Sequence, residues 1–328
     1  MKKILIIQTA FIGDVVLATG LVEKLNSFYP YSQIDFLLRK GNETLLAGHP
    51  FIRTILVWDK KQKKYANLWF IFRQIKKEKY DLVINLQRFA ASGILASFSG
   101  AKLRYGFEKN PFSFLFTKSF PHIIGKRGDL AYLHETERNQ ALIAEFTDAH
   151  ASKPKLYPSD PDFEAVSVYQ NKPYVTISPA SVWFTKQYPK YKWIELIKTI
   201  PDGYMIYLTG GKGDSELCSK IKKNGRHAGI EVLAGKLSFL QTAALMKNAR
   251  MNFTNDSAPL HFASAMDAPV TAIFCSTIPE FGFGPLSIDS RIAQETDNLE
   301  CRPCGLHGYK ACPKGHFKCA YDINLKFD

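Results

Sequence analysis

Apolar residues in this chain come in short runs that recur at a regular interval, with segments of a different period between them. KILIIQTA near the start is a continuous Ile/Leu run of strand length; a loop with Gly13 follows, then a helical pattern from about Val15 to Phe28. Further strand-length runs stand at 33–38 (QIDFLL), 54–58 (TILVW) and 81–86 (DLVINL), with charged or helical segments at 62–79, 89–99 and 130–147. Strands alternating with helices predict a parallel, doubly wound α/β sheet. Residues 148–164 (DAHASKPKLYPSDPDFE) lose the apolar period and have the Pro-, Ser-, Asp- and Lys-rich composition of an interdomain linker. The pattern then restarts at 174–178 (YVTIS), 204–209 (YMIYLT), 230–233 (IEVL), 252–254 (NFT) and 270–275 (VTAIFC). The expectation is two Rossmann-like domains, 1–155 and 156–328, facing each other across a cleft, with function in the loops that follow the strands.

A chain of 328 residues, 46% apolar, is long enough for both cores. No apolar run reaches the roughly 18 residues that span a bilayer as a helix. Lys2, Lys3 and a short apolar run interrupted by Asp14 do not read as a signal peptide. Four of the six cysteines crowd the last 30 residues, unlike a disulfide framework, so a reducing, cytoplasmic compartment is expected.

Charge changes this picture more than composition does. Of the net +13, nearly all lies in residues 1–155, which hold 24 Lys and Arg against 13 Asp and Glu; residues 156–328 hold 19 against 17. The first half is expected to meet something anionic, whether nucleic acid, an acidic membrane surface or an anionic substrate, unless the lysines only solvate it. Two segments interleave aromatics with cations, Lys60 to Tyr80 and Phe107 to Arg127. In the first, Trp69, Phe70 and Phe72 read equally well as packing a helix on its sheet. The second is less periodic, and its Phe cluster is the better candidate for a surface that meets an anionic substrate or a membrane. Against nucleic acid, no RRM, KH or helix-turn-helix pattern is present.

Four loops carry candidate chemistry. Thr9 to Asp14 lacks the G-x-G-x-x-G spacing of a dinucleotide site, which disfavours a nicotinamide dehydrogenase. Asp14 reads as the N-cap of the first helix, where the dipole favours an ionised carboxylate, and in a cleft such a group can act as a general base. The loop from Ser178 to Pro189 offers Ser181, Thr185 and Lys186, hydroxyls and an ammonium suited to phosphate oxygens. Thr254 to His261 leaves a strand and enters a helix with Pro259 in its first turn, so its backbone amides form an anion site. Thr209 to Asp214 is glycine-rich but lacks the ending of a P-loop. Cys301-x2-Cys304-x7-Cys312-x6-Cys319, with His307 and His316 nearby, has partial zinc-site spacing, so a structural zinc is a candidate while catalysis is expected to need no metal.

Taken together, these segments resemble glycosyltransferase family 9, the lipopolysaccharide heptosyltransferase family. The resemblance runs in order through ILIIQTAFIGDVVLATG, residues 80–107, HETERN at 134–139, SPASVWFTKQYP at 178–189, LTGGKGDSEL at 208–217 and residues 233–274, the most specific stretch. It implies a GT-B fold in which the first domain takes the acceptor and the second the nucleotide-sugar. It further implies Asp14 as the catalytic carboxylate, and Ser181, Thr185 and Lys186 in the diphosphate loop. Asp256, Ser257, Ala258 and His261 would form the donor-binding turn and helix, Leu237 an apolar contact for adenine, and Asp214 or Glu216 a ribose partner. The family usually has glycine where this chain has Ala258, and a methyl there narrows the approach to phosphate. The implied reaction is transfer of heptose from an ADP-activated donor to a lipid A-linked, anionic core saccharide. It would take place at the inner face of the cytoplasmic membrane, with peripheral contact and no nucleic acid. Another nucleotide-sugar or acceptor is the alternative.

Overall fold

The computed structural model describes residues 2–295 and 299–327. Two compact units divide the chain: Met1–Ile124 with Leu133–Tyr157, and Gly125–Tyr132 with Pro158–Asp328.

The first unit runs β1 (Lys3–Ile7), α1 (Ile12–Phe28), β2 (Gln33–Arg39), β3 (Ile52–Trp58), α2 (Lys64–Glu78), β4 (Leu82–Asn85), α3 (Ala90–Ser97), β5 (Leu103–Phe107), β6 (Lys118–Phe120) and α4 (Glu135–Ala141). Its strands form one sheet in the order β3-β2-β1-β4-β5-β6, every pairing parallel. Ile4 to Ile7 and Leu82 to Ile84 are fully buried, which is why these central strands are continuous apolar runs and not alternating ones. On one face Ile71 and Ile75 of α2 join Leu5, Ile7, Leu37, Val83 and Leu95 in a single core.

The second unit runs α5 (Asp160–Ser167), β7 (Tyr174–Ser178), α6 (Lys190–Ile197), β8 (Met205–Leu208), α7 (Ser215–Asn224), β9 (Ile230–Val232), α8 (Phe239–Lys247), β10 (Met251–Asn255), α9 (Ala258–Met266), β11 (Val270–Phe274), β12 (Ser290–Gln294) and α10 (Lys318–Tyr321). Its sheet is again parallel, ordered β12-β11-β10-β7-β8-β9. Trp193, Leu196 and Ile197 of α6 pack with Val175, Ile177, Ile206 and Ile221 into its main core.

Four local expectations change. Helix α1 begins at Ile12 with Phe11 as its N-cap, so Asp14 is the third helical residue and not the cap. The helix expected at 130–147 shrinks to α4, because His134 caps it in a capping box with Glu137. The stretch before it, Gly125–Tyr132, belongs to the second unit, where a Cβ on Gly125 would collide with the Glu280 carbonyl oxygen. The expected linker holds a helix of its own, α5, opened by Ser159 and Asp162 in a second capping box. Both aromatic-basic segments expose part of their apolar surface: Trp69 and Phe70 are each 60% exposed in the first and Phe114 77% in the second, where Phe107 and Phe116 are buried and Lys118 is paired with Glu145.

Candidate active site

In a doubly wound sheet, ligands bind at the carboxyl ends of the strands where the order reverses, since the loops on either side diverge there. In the first unit the reversal lies between β1 and β4. Asp14 stands at this edge, in the first turn of α1, where the helix dipole favours its ionised form. The loop that carries it is held by neighbours that the sequence pattern had not singled out. Lys60 Nζ donates to the carbonyl and hydroxyl oxygens of Thr9 at 2.8 and 3.0 Å, and Asn42 donates to Ala10 O at 3.3 Å. The Arg39 guanidinium lies 4.9 Å from the centre of the Phe11 ring. Burial, with the charges of Arg39 and Lys64, pulls the Lys60 ammonium down to about 8.

In the second unit the reversal lies between β7 and β10, and the loops after these strands bring the phosphate candidates together. Lys186 Nζ is 2.6 Å from Asp256 Oδ2, and both side chains are largely buried. Asn255, at the end of β10, fixes the other loop at both ends: its amide donates to Pro179 O at 2.9 Å, and its oxygen accepts from Tyr188 N at 2.9 Å. Ser181 is tied in through its carbonyl, which accepts from Gln187 at 2.7 Å. At the start of α9 the Ser257 hydroxyl turns back to Asn255 O at 3.3 Å and does not cap the helix. Ala258 is the first residue of α9, and His261, one turn on, is buried.

Two further loops adjoin on the other side of β7. Gly235 N donates to Gly210 O at 2.9 Å, and a Cβ on Gly235 would meet Lys212 Cα at 2.8 Å, so the glycine permits this approach. Asp214 and Leu237 flank this junction in sequence. Asp214 accepts from Gly211 N at 2.7 Å, shaping its own turn, while Leu237 rests half-buried against the core below. Glu216 is exposed and paired with Lys220, a surface role.

The sequence pattern missed the support behind Lys186. Thr277 Oγ1, fully buried after β11, donates to Asp256 Oδ2 at 2.6 Å, so one carboxylate oxygen joins Thr277 and Lys186. Thr277 is itself braced by buried Arg302, whose guanidinium donates to its carbonyl and to that of Cys275, each at 2.8 Å. Beside Lys186, Thr185 Oγ1 accepts from Tyr309 N at 2.8 Å and is 3.0 Å from Ser276 Oγ. A Cβ on Gly308, at φ +77°, would stand 2.8 Å from that hydroxyl. The cysteine-bearing segment thus roofs the loop. The candidate zinc finds no ligand set there, because among the described residues no three His, Cys, Asp or Glu side chains are placed to hold an ion. Cys319 is drawn into the apolar core, where burial pushes its thiol up to about 12; Cys304 donates to Cys301 O at 3.2 Å, and Cys301 Sγ lies 3.7 Å from His316 Nε2.

The model of glycosyltransferase family 9 (heptosyltransferase) matches residues 68–308, from α2 through the loops of the second unit to Gly308. The chain belongs to that family. Lipopolysaccharide heptosyltransferase 3 of Escherichia coli is 27% identical over 286 residues, 81% of this chain and 82% of its own. Among solved structures, the E. coli ADP-heptose lipopolysaccharide heptosyltransferase II superposes with a TM-score of 0.75 at 21% identity, covering 98% of each chain. E. coli heptosyltransferase WaaC with ADP gives 0.71 at 20% identity, covering 88% of this chain and 92% of that one. The fold of this family 9 glycosyltransferase is accordingly GT-B, two Rossmann-like units in one chain. No helix among the described residues is long and apolar enough to cross a membrane.

Proposed function

We propose that this glycosyltransferase moves a heptose from ADP-heptose to the lipid A-linked inner core of lipopolysaccharide, working as a peripheral protein at the cytoplasmic face of the membrane. The observation that carries the reading is the Lys186–Asp256 cluster at the sheet reversal of the second unit, beside the start of α9. Its heptosyltransferase relatives and the ADP held by a protein of the same fold support the choice of donor.

In this reading the first unit takes the acceptor and the second the donor. Asp14 removes the proton of the acceptor hydroxyl as that oxygen forms its bond to the anomeric carbon. The bond from that carbon to the diphosphate oxygen breaks, the electron pair leaves with ADP, and the configuration inverts. Lys186, the Ser181 hydroxyl and the amides of Ser257 and Ala258 receive the charge that builds on the diphosphate, while buried Thr185 holds the loop of Ser181 and Lys186 through Tyr309 and Ser276. Asp256 and His261 belong to the donor-binding turn and helix, where Asp256 holds Lys186 in place, Leu237 supports the adenine, and Asp214 takes the ribose. A lysine and a helix N-terminus supply positive field at the leaving group, so no divalent cation enters the mechanism.

A donor other than ADP-heptose is the second reading, and the methyl of Ala258 in the first turn of α9 is what favours it. Thermal shift with ADP, UDP and GDP separates the two, since a nucleotide that binds the folded state raises its melting temperature by mass action. ADP alone should stabilise. Stabilisation by UDP or GDP with none by ADP would replace the donor assignment.

A further inference from the structure

Helix α2 buries one side and leaves an unusual one outside. Ile71 and Ile75 enter the core of the first unit, with Leu68 and Phe72 packed against it, so the helix is docked on its sheet without further help. Yet Tyr65, Trp69 and Phe70 are 78, 60 and 60% exposed. At about 100° per residue, Tyr65, Ala66, Trp69, Phe70, Arg73, Lys76 and Lys77 occupy one continuous arc of about 140°. Its N-terminal half is aromatic and its C-terminal half cationic, and exposed Lys61 and Lys63 precede it. Glu78, the sole acid in α2, is taken by Lys3 at 3.0 Å and Arg53 at 2.9 Å, which leaves the arc without negative charge.

We propose that this outer face of α2 is the surface by which the protein lies on an anionic lipid bilayer. It gives the peripheral association proposed above its location, and rests on that reading for its partner. Aromatic rings with polar edges settle at the boundary between headgroups and acyl chains, while Lys and Arg beside them reach the anionic headgroups. A second copy paired on the same face would set cations against cations. Single-stranded nucleic acid is held in charged grooves, and this face is a convex helix.

Sedimentation with vesicles of phosphatidylglycerol and phosphatidylcholine, and of phosphatidylcholine alone, tests the assignment on the full chain. Two variants are compared with wild type: Tyr65→Ser/Trp69→Ser/Phe70→Ser, and Arg73→Gln/Lys76→Gln/Lys77→Gln. Neither replaces a residue of the core; Trp69 stacks on Phe72 and Lys76 lies over the same ring, so each melting temperature is measured first and binding is compared at a temperature where all three proteins are folded. The expected result is binding to the anionic vesicles that each variant weakens at least ~10-fold, with 0.5 M salt mimicking the charge variant. If wild type ignores anionic vesicles, peripheral association itself fails. Equal binding by wild type and both variants overturns the α2 assignment alone. Vesicle binding unchanged while light scattering shows a dimer lost, or while oligonucleotide binding is lost, overturns it in favour of a second copy or a nucleic acid.

Discussion

Lys186 is already in an ion pair before any phosphate reaches it, and this decides what its removal does. Lys186→Ala leaves the Asp256 carboxylate buried without its cation, so it should cost stability, about 3 kcal/mol, as well as ADP affinity. Lys186→Ala/Asp256→Asn should recover much of the melting temperature but none of the ADP binding. Recovery of both would show that Lys186 serves the fold and not the donor. Thr277 acts one bond further back. Thr277→Val should weaken ADP roughly 10-fold in wild type and have little added effect in Lys186→Ala, while Thr277→Ser restores binding. Additive losses, measured by calorimetric titration, would make Thr277 a packing residue. Asp14→Asn should keep donor affinity and lower kcat at least ~100-fold, the ordinary cost of a lost general base; near-normal turnover would remove Asp14 from the mechanism.

At the scale of elements, what was legible depended on burial. The central strands of both sheets are apolar on two faces and stand out as unbroken runs such as Ile4 to Ile7. Strands β5, β6 and β12 (LRYGF, KSF and SRIAQ) are only partly buried and hold no unbroken apolar run, and they escaped notice although β5 is interior to its sheet. The phosphate candidates Thr185, Lys186 and Asp256 announced themselves because hydroxyls, a lysine and a helix start followed apolar strands. Thr277 and Arg302 did not: a threonine after a strand and an arginine between cysteines have no local signal, and their roles come from contacts across 25 residues. The same limit hid the role of one basic residue. Arg127 is not surface charge, since it donates to the carbonyls of Leu299 and Arg302. Replacing Lys109 and Lys126 by Gln should therefore leave stability unchanged, whereas Arg127→Gln should lower the melting temperature by a few degrees. Equal melting temperatures would show that the Arg127 contacts are not formed in solution.

For the whole molecule, a buried histidine ties stability to pH. His49 is buried among Tyr157, Phe51 and Glu23, and burial holds its imidazole down to about 4. Its unfolded form takes a proton near 6.5, so between about 6.5 and 4 the unfolded chain binds more protons than the folded one. Stability from this group is full above about pH 6.5 and is lost as pH falls to about 4. Urea unfolding should show that slope in wild type and a flatter one in His49→Gln; identical slopes would place the acid sensitivity elsewhere. The proposed activity itself is tested most directly by incubating the protein with ADP-heptose and a purified lipid A-linked inner-core acceptor, and weighing the acceptor by mass spectrometry. The account predicts a gain of one heptose with equimolar ADP release, unaffected by EDTA and at least ~100-fold slower in Asp14→Asn. No gain from ADP-heptose, with sugar transferred instead from a UDP- or GDP-linked donor, would contradict it.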